Sequence, residues 1–265
     1  MSDPANQPIT ALRTGHNELA ELVSGMGPDD LARPSGADQW DISQVLSHLG
    51  SGAEIALATV EAALEGAGNP GPEFNRTVWA RWDTITTPTE RAAGFLRANE
   101  ALVRCFEALD GTARAQLNVD LGFLPKPVDV ATTAGLRLSE FAYHTWDVKV
   151  AFDPAAVLAP AVAELLVDLL GVIIGFLGHA DALGGRQATL LVQTTAPDRS
   201  FGLDLRNAVT LVDAPERPGG VLSVPGEAWL RLAAGRLAPR HTPPTVQLTS
   251  EAITLDDLRR VFPGF

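Results

Sequence analysis

The sequence predicts an α+β protein, in which a four-helix bundle is followed by a small domain of strands and short helices. Two observations lead to this fold class. Apolar residues recur at helical spacing up to about residue 152, whereas short strand-like runs separated by turn residues follow residue 185. The 265 residues, 46% hydrophobic and 20% charged, have ordinary globular composition and suffice for two domains. We therefore expect domains at 1–154 and 155–265.

Helix-breaking and capping residues delimit the four helices of the predicted bundle. Glycines end the first helix, a Gly/Pro-rich loop at 66–72 ends the second, and Asp153-Pro154 ends the fourth. Thr87 has the character of an N-cap, with Glu90 in the first turn of the third helix. The predicted helices run from about Ile9 to Val23, from Trp40 to Glu65, from Thr87 to Leu109 and from Val130 to Phe152.

The second half begins with an apolar run that is nearly long enough to cross a membrane. Glu164 and Asp168 interrupt it, and the uncharged stretch after Asp168 is too short to span. We interpret 155–182 as a buried connecting helix. Strands are expected at 189–194, 208–212, 221–224 and 245–248, and short helices at 227–234 and 255–261.

The charge and the cysteine content exclude several classes of partner and site. A net charge of −12 disfavours binding to nucleic acid and to anionic membranes, because both present negative charge. Cys105 is the one cysteine, so an internal disulfide and multi-cysteine zinc frameworks are excluded, and we expect a buried, inert thiol. The first eight residues lack the features of a signal peptide, which indicates a cytoplasmic protein. The sequence does not fix an oligomeric state.

A narrow stripe of ionisable residues lies on the fourth helix. Arg137, Glu140, His144 and Asp147 fall within an arc of about 80° that large apolar residues flank, which indicates a polar pocket facing inward. Glu140 and His144 are four residues apart, so both side chains can reach one metal ion, as the two histidines of a helical zinc motif do. A salt-bridged surface is the competing interpretation of the same spacing.

His48, on the flank of the second helix, is the candidate third ligand. A single histidine beside an apolar face is more often a hydrogen-bonded core residue. Together with Glu140 and His144, however, it makes a His₂Glu set, and three protein ligands leave a position open, as in catalytic zinc sites. Asp147, one turn beyond His144, is placed to orient an imidazole from behind.

Two motifs resemble those of a known family. The segment 40–49, WDISQVLSHL, resembles the motif GWT-x-x-D-V-x-x-HL, and the segment 137–148, RLSEFAYHTWDV, resembles R-x-x-E-x-x-x-H-x-W-D-V. With the loop 122–127, they resemble the mycothiol-dependent maleylpyruvate isomerase family over about residues 5–153. The segment 35–39 departs from the family's usual lead-in to the first motif, which bears on substrate contacts rather than on the ligands.

The resemblance implies a DinB-like bundle in which His48, Glu140 and His144 bind a divalent metal, usually zinc. It also implies mycothiol, the low-molecular-weight thiol of actinobacteria, as the cosubstrate, whose thiol pKa the metal lowers for attack on a small electrophile. If the adduct persists, the enzyme is an S-transferase, which we expect first. If bond rotation and thiol elimination follow, it is a maleylpyruvate cis–trans isomerase. The alternative of another class is a non-catalytic protein that binds a metal or an apolar ligand.

Three further residues are weaker candidates. Arg236 lies in LRLAAGR, which resembles the family segment L-x-L-x-x-G-R, and is a candidate catalytic cation for a carboxylate. A solvated arginine at a helix end is the competing interpretation. Asn75 and Arg81 lie among the aromatic residues of 74–82 and are candidates for binding the thiol or the substrate, although such segments also form core.

Overall fold

The structure, a computed structural model, describes residues 3–264. These residues form two compact units that divide between Asp153 and Pro154. Met1, Ser2 and Phe265, which belong to the predicted domains, lie outside the described residues. That the predicted ranges 1–154 and 155–265 are independent domains stays a prediction.

The first unit contains the four long helices that the periodicity predicts. The fold class is thereby confirmed for this half of the chain. Shorter elements that the sequence analysis did not predict lie between them: helices α2, α4 and α6 and the antiparallel pair β1–β2. The elements are α1 (Asn6–Ser24), α2 (Pro28–Leu31), α3 (Ile42–Leu64), α4 (Gly71–Asp83), α5 (Pro88–Ala108), α6 (Gly111–Gln116), β1 (Asn118–Val119), β2 (Val128–Asp129) and α7 (Val130–Lys149).

Side-chain caps fix where α3, α5 and α7 begin. The Asp41 carboxylate accepts a hydrogen bond from the Gln44 backbone N–H at 2.8 Å, and the Gln44 side chain accepts one from the Asp41 N–H at 2.9 Å. Asp129 caps α7 by accepting from the N–H of Thr132 at 2.7 Å, and Thr87 caps α5 as expected. Each cap satisfies N–H groups that the first helical turn leaves without partners, and thereby fixes the helix start.

Helix α4 packs on α3 through one large side chain. The indole of Trp82 is buried, and a Cβ placed on Gly50 of α3 would overlap that ring. The close approach of α4 to α3 therefore requires a residue without a side chain at position 50.

Replacement of Gly50 by alanine is expected to lower the free energy of unfolding by about 1–3 kcal/mol, because a methyl group there must displace the Trp82 ring from a packed core. Urea denaturation followed by far-UV circular dichroism measures the change. Gly68→Ala is the matched control, because a Cβ at Gly68 meets nothing within 4 Å. Equal stability of the two variants would contradict this packing.

The second unit is built on a five-stranded sheet with the order β5-β4-β3-β6-β7. The pair β3–β6 is parallel and the other neighbours are antiparallel. With the helices beside it, the sheet makes this half α+β, as predicted. The elements are α8 (Pro160–Leu169), α9 (Ile174–Leu177), β3 (Thr189–Thr195), β4 (Arg199–Asp204), β5 (Thr210–Val212), β6 (Gly220–Pro225), α10 (Gly226–Ala233), β7 (Gln247–Ser250) and α11 (Leu255–Val261), with 3₁₀ turns at Leu170–Val172, Ala180–Leu183 and Pro239–His241.

One prediction for the second half is wrong, and one strand was not predicted. The single connecting helix 155–182 is instead α8 followed by a 3₁₀ turn and the short α9, because glycines at 171, 175 and 178 weaken a continuous helix. Strand β4 was not predicted, since its sequence RSFGLD contains two charges and a glycine. It nevertheless pairs with β3 along its whole length, so tertiary pairing outweighs its weak local signal. Within residues 3–264 no helix is both long and apolar enough to cross a membrane.

Candidate metal centre

The three predicted ligands lie together between α3 and α7. Nε2 of His48 is 2.6 Å from Oε1 of Glu140, and Nε2 of His144 is 3.4 Å from the same oxygen. The two imidazole rings meet edge to face, with centroids 4.7 Å apart. One carboxylate oxygen therefore lies between two imidazole nitrogens that come from different helices.

The donor set and its spacing fit a divalent metal. One candidate ligand atom from each of His48, Glu140 and His144 lies within 4.8 Å of the other two. Zinc sites bind imidazole nitrogen and carboxylate oxygen at about 2.0–2.2 Å, so ligand atoms around one ion must be this close together. The cluster is also accessible from one side, because His48 and Glu140 are partly exposed while His144 is buried.

The charge state of Glu140 suits a ligand. Burial opposes ionisation of its carboxyl, but the hydrogen bonds and charges of His144 and His48 outweigh burial and hold the pKa of Glu140 well below its usual value. Glu140 is therefore an anion at neutral pH, and it faces the two nitrogen donors.

Asp147 orients His144 from behind. Nδ1 of His144 is 2.8 Å from Oδ2 of Asp147, whose side chain is fully buried. This contact lets Nδ1 donate to Asp147, so Nε2 is the nitrogen that is left to bind a metal ion. The expected supporting role of Asp147 agrees with this geometry.

The loop before α3 is fastened to the same residue through the backbone. The N–H of Gly36 donates to the Asp147 carbonyl at 2.7 Å, and a Cβ on Gly36 would overlap Val150 and crowd Asp147. This loop also bears Trp40, whose ring centroid is 5.1 Å from that of His48 and 6.2 Å from that of His144. The indole therefore covers the imidazoles on this side.

A buried cation joins the two helices that carry the cluster. Arg137, one turn before Glu140 on α7, donates through Nη2 to the backbone carbonyl of Leu49 at 2.9 Å and to Oδ1 of Asn99 at 3.2 Å. Leu49 follows His48 on α3. Burial lowers the pKa of Arg137 to about 10, against the opposing charge of Glu140, so the guanidinium stays protonated at neutral pH.

The polar chain continues from Asn99 toward the surface. Its Nδ2 is 2.9 Å from Nδ1 of His16, and Nε2 of His16 is 3.1 Å from Glu100. Burial lowers the pKa of His16, although Glu100 opposes this, so its ring is neutral. A neutral ring can accept from Asn99 at Nδ1 and donate to Glu100 at Nε2. His16 is thus a hydrogen-bonded core residue rather than a fourth ligand.

Replacement of Asn99 by leucine is expected to lower the free energy of unfolding by at least about 2 kcal/mol, because the change leaves both Arg137 and His16 without the partner they share. Urea denaturation measures the loss. The exposed Asn17, on α1, supplies the matched control Asn17→Leu. A loss at Asn99 no larger than the loss at Asn17 would show that the polar chain adds no stability.

A cavity of 220 Å³ opens beside His48. Helix α3 contributes residues spaced three and four apart on one face, α4 contributes its last turn, and α5 contributes one arginine. The sequence analysis did not identify these residues apart from His48, although their helical spacing was visible in the sequence. The cavity is lined by Trp40, Gln44, Ser47, His48, Ser51, Trp79, Trp82, Asp83 and Arg91.

The weaker candidates do not join the cluster in the structure. Arg81 is exposed, pairs with Glu54 and lines a second cavity of 440 Å³. Asn75 is half-buried on α4 and lines neither of these cavities. Arg236 is buried in the second unit, where Nη1 donates to the Ala234 carbonyl at 2.7 Å, and its catalytic role stays a prediction. Burial raises the pKa of Cys105, and the charge of Glu61 adds to this, which agrees with an inert thiol.

Comparisons with known proteins identify a family and a fold. The family model described as the mycothiol maleylpyruvate isomerase N-terminal domain matches residues 12–149. No curated protein matches the sequence. Two solved structures are similar to this chain: a crystal structure of the mycothiol-dependent maleylpyruvate isomerase and one of its histidine-to-alanine mutant. Each has a TM-score of 0.65 and 16% sequence identity, and the match covers 96% of this chain and 98% of that one. At this identity the likeness establishes a shared fold.

Proposed function

This chain belongs to the mycothiol maleylpyruvate isomerase N-terminal domain family, and from that premise we propose that it activates mycothiol on a divalent metal for reaction with a small electrophile. Membership of an isomerase family makes the chain an enzyme, as the sequence predicts. The observation that supports the proposal most directly is the cluster of His48, Glu140 and His144 beside a cavity.

Each residue of the cluster has a distinct part in the proposed site. His48, Glu140 and His144 would hold the metal, and Asp147 would keep Nε2 of His144 available as a ligand. A divalent cation, most simply Zn²⁺, would stabilise the thiolate of mycothiol and so lower its pKa. Trp40 covers the two imidazoles and limits the access of water to them.

The arrangement of cations favours transfer to an uncharged electrophile. Arg137 donates to Leu49 and Asn99, and Arg91 donates to the Ile85 carbonyl at 2.9 Å and to Ser43 at 3.2 Å. Arg137 is thus held by protein acceptors. Arg91 is the one arginine in the cavity lining and keeps only Nη2 for a ligand, so this lining offers no pair of guanidinium groups for two carboxylates. We therefore propose an S-transferase, in which the new carbon–sulfur bond persists.

Maleylpyruvate isomerisation is the second candidate function. The likeness to the solved isomerase extends over nearly the full length of both chains and so includes the second unit. In this reaction the thiolate adds to the double bond, the resulting single bond rotates, and elimination releases the thiol unchanged. Arg236 is the residue that we propose for a substrate carboxylate in this case.

The purified protein is expected to bind about one divalent metal per chain, which elemental analysis after dialysis measures. Replacing His48, Glu140 or His144 by alanine should abolish stoichiometric binding while the helical circular dichroism spectrum remains. Asp147→Asn should weaken metal affinity by about 10–100-fold, because it disturbs the orientation of His144. The exposed His179 gives the control His179→Ala. Stoichiometric binding by the triple variant would exclude this ligand set.

The cobalt-substituted protein is expected to develop a sulfur-to-metal charge-transfer band on addition of mycothiol, at pH values below the free-thiol pKa of about 8.5. Glutathione and bacillithiol test selectivity among thiols. Monochlorobimane and maleylpyruvate, assayed side by side, separate the two reactions. Conjugation of bimane with consumption of thiol supports the transferase, and isomer formation without consumption supports the isomerase. A metal-loaded protein that neither ligates nor consumes mycothiol would contradict both, in favour of a non-catalytic binding protein.

A further inference from the structure

The cavity beside His48 has balanced charge and many hydrogen-bonding groups. Its lining contains one cation, Arg91, and one anion, Asp83, apart from His48 itself. An anionic ligand would be repelled by Asp83, and a cationic one by Arg91. A neutral ligand that both donates and accepts hydrogen bonds satisfies both groups.

The polar side chains of α3 suit such a ligand. The Gln44 side-chain carbonyl already accepts from the Asp41 N–H, which leaves the two N–H donors of its amide for a ligand. Ser47, one turn further, has a hydroxyl that can both donate and accept. Asp83 accepts only. Hydroxyl groups of a ligand can pair with all three, whereas a hydrocarbon ring would bury them without partners, which costs free energy.

Indole rings supply flat apolar surface in the same cavity. Trp79 is 47% exposed although it lines the cavity, whereas Trp82 is almost fully buried beneath it in the contact with Gly50. An exposed indole beside groups that donate and accept hydrogen bonds suits a ring with apolar C–H faces and a polar edge. Polyhydroxylated six-membered rings have this character.

The volume limits the ligand to about one such ring. A cavity of about 150 Å³ accommodates benzene in an engineered protein, and the present cavity measures 220 Å³. His48 is both a wall of this cavity and a member of the cluster. A ligand with its sulfur at the cluster could therefore place an attached ring here.

We propose that this cavity is the subsite for a polyhydroxylated ring of the thiol cosubstrate. The inference rests on the proposed function, because mycothiol attaches its cysteine to a pseudodisaccharide of glucosamine and inositol. Trp79 contacts the ring face, and Asp83, Gln44 and Arg91 pair with its hydroxyl groups. The subsite would distinguish this thiol from peptide thiols, which lack such rings.

The test compares mycothiol with N-acetylcysteine, which has the thiol but no ring. Affinities are measured on the cobalt-substituted protein from the charge-transfer band. The wild-type protein should bind mycothiol more tightly than N-acetylcysteine. Trp79→Ala should lower the affinity for mycothiol by roughly tenfold through loss of the aromatic contact. The affinity for N-acetylcysteine should not change. Asp83→Asn should also lower the affinity for mycothiol, and Trp79→Phe should keep most of the wild-type affinity for mycothiol.

Arg76→Ala is the matched control, because Arg76 lies on the same helix, is exposed and pairs with Glu73. Metal content and the circular dichroism spectrum show whether each variant is folded. If Trp79→Ala and Asp83→Asn leave the ratio of the two affinities unchanged while the band still forms, the subsite is wrong and the proposed function stands.

A second experiment, which uses a ligand without a thiol, tests the subsite when the proposed function fails. If no thiol produces the band, the proposed function fails, and titration with the thiol-free glucosaminyl-inositol, followed by tryptophan fluorescence, then decides the subsite. Saturable binding that Trp79→Ala abolishes would support the subsite, and absence of binding would overturn it. If indole displaces the bound glucosaminyl-inositol and inositol does not, the subsite would likewise be overturned, in favour of an apolar occupant.

Discussion

The hydrogen bond from the Arg137 guanidinium to the Leu49 carbonyl is the interaction on which the geometry of the cluster depends. It connects α7, one turn before Glu140, with α3, one residue after His48. A buried cation is stable only if acceptors surround it, and here those acceptors belong to the neighbouring helices. The distance between the two helices that carry the cluster is therefore coupled to how one buried charge is surrounded by acceptors.

That coupling extends away from the cluster. Asn99 on α5 accepts from Arg137 and contacts His16 on α1, so three of the four long helices meet α7 through one polar chain. Glu100 and Arg13 close the chain at the surface, where Glu107 also pairs with Arg13. Exposed ion pairs add little stability by themselves. In this position Glu100 gives the His16 ring its second partner, and shared polar partners of this kind favour one arrangement of the helices that carry them.

The parts that the sequence could predict are those encoded in local spacing. Helical periodicity gives the four long helices, and the interval from Glu140 to His144 places two donors on one face. His48 was a candidate only as the third member of a His₂Glu set, because a lone histidine has no local signature of ligation, and the motif then supported it. The cavity could not be predicted in the same way, since it depends on which face of α4 packs against α3. The aromatic residues around Arg81 make it a candidate from the sequence, but the helix directs Arg81 to Glu54 and presents Trp79 to the cavity instead.

The contact of Gly36 with Asp147 has a consequence for how this protein can diverge from its relatives. The backbone of segment 35–39 lies directly against the aspartate that contacts His144. The contact is made by an N–H and by a missing Cβ, so it does not depend on any side chain of the loop. A side chain at position 36 would press on Asp147 and Val150. Ser35 is restricted for another reason, since its hydroxyl donates to the Trp40 carbonyl and accepts from the N–H of Ala37. Substitution in this loop is therefore limited by main-chain clearance at one position and by a side-chain hydrogen bond at its neighbour.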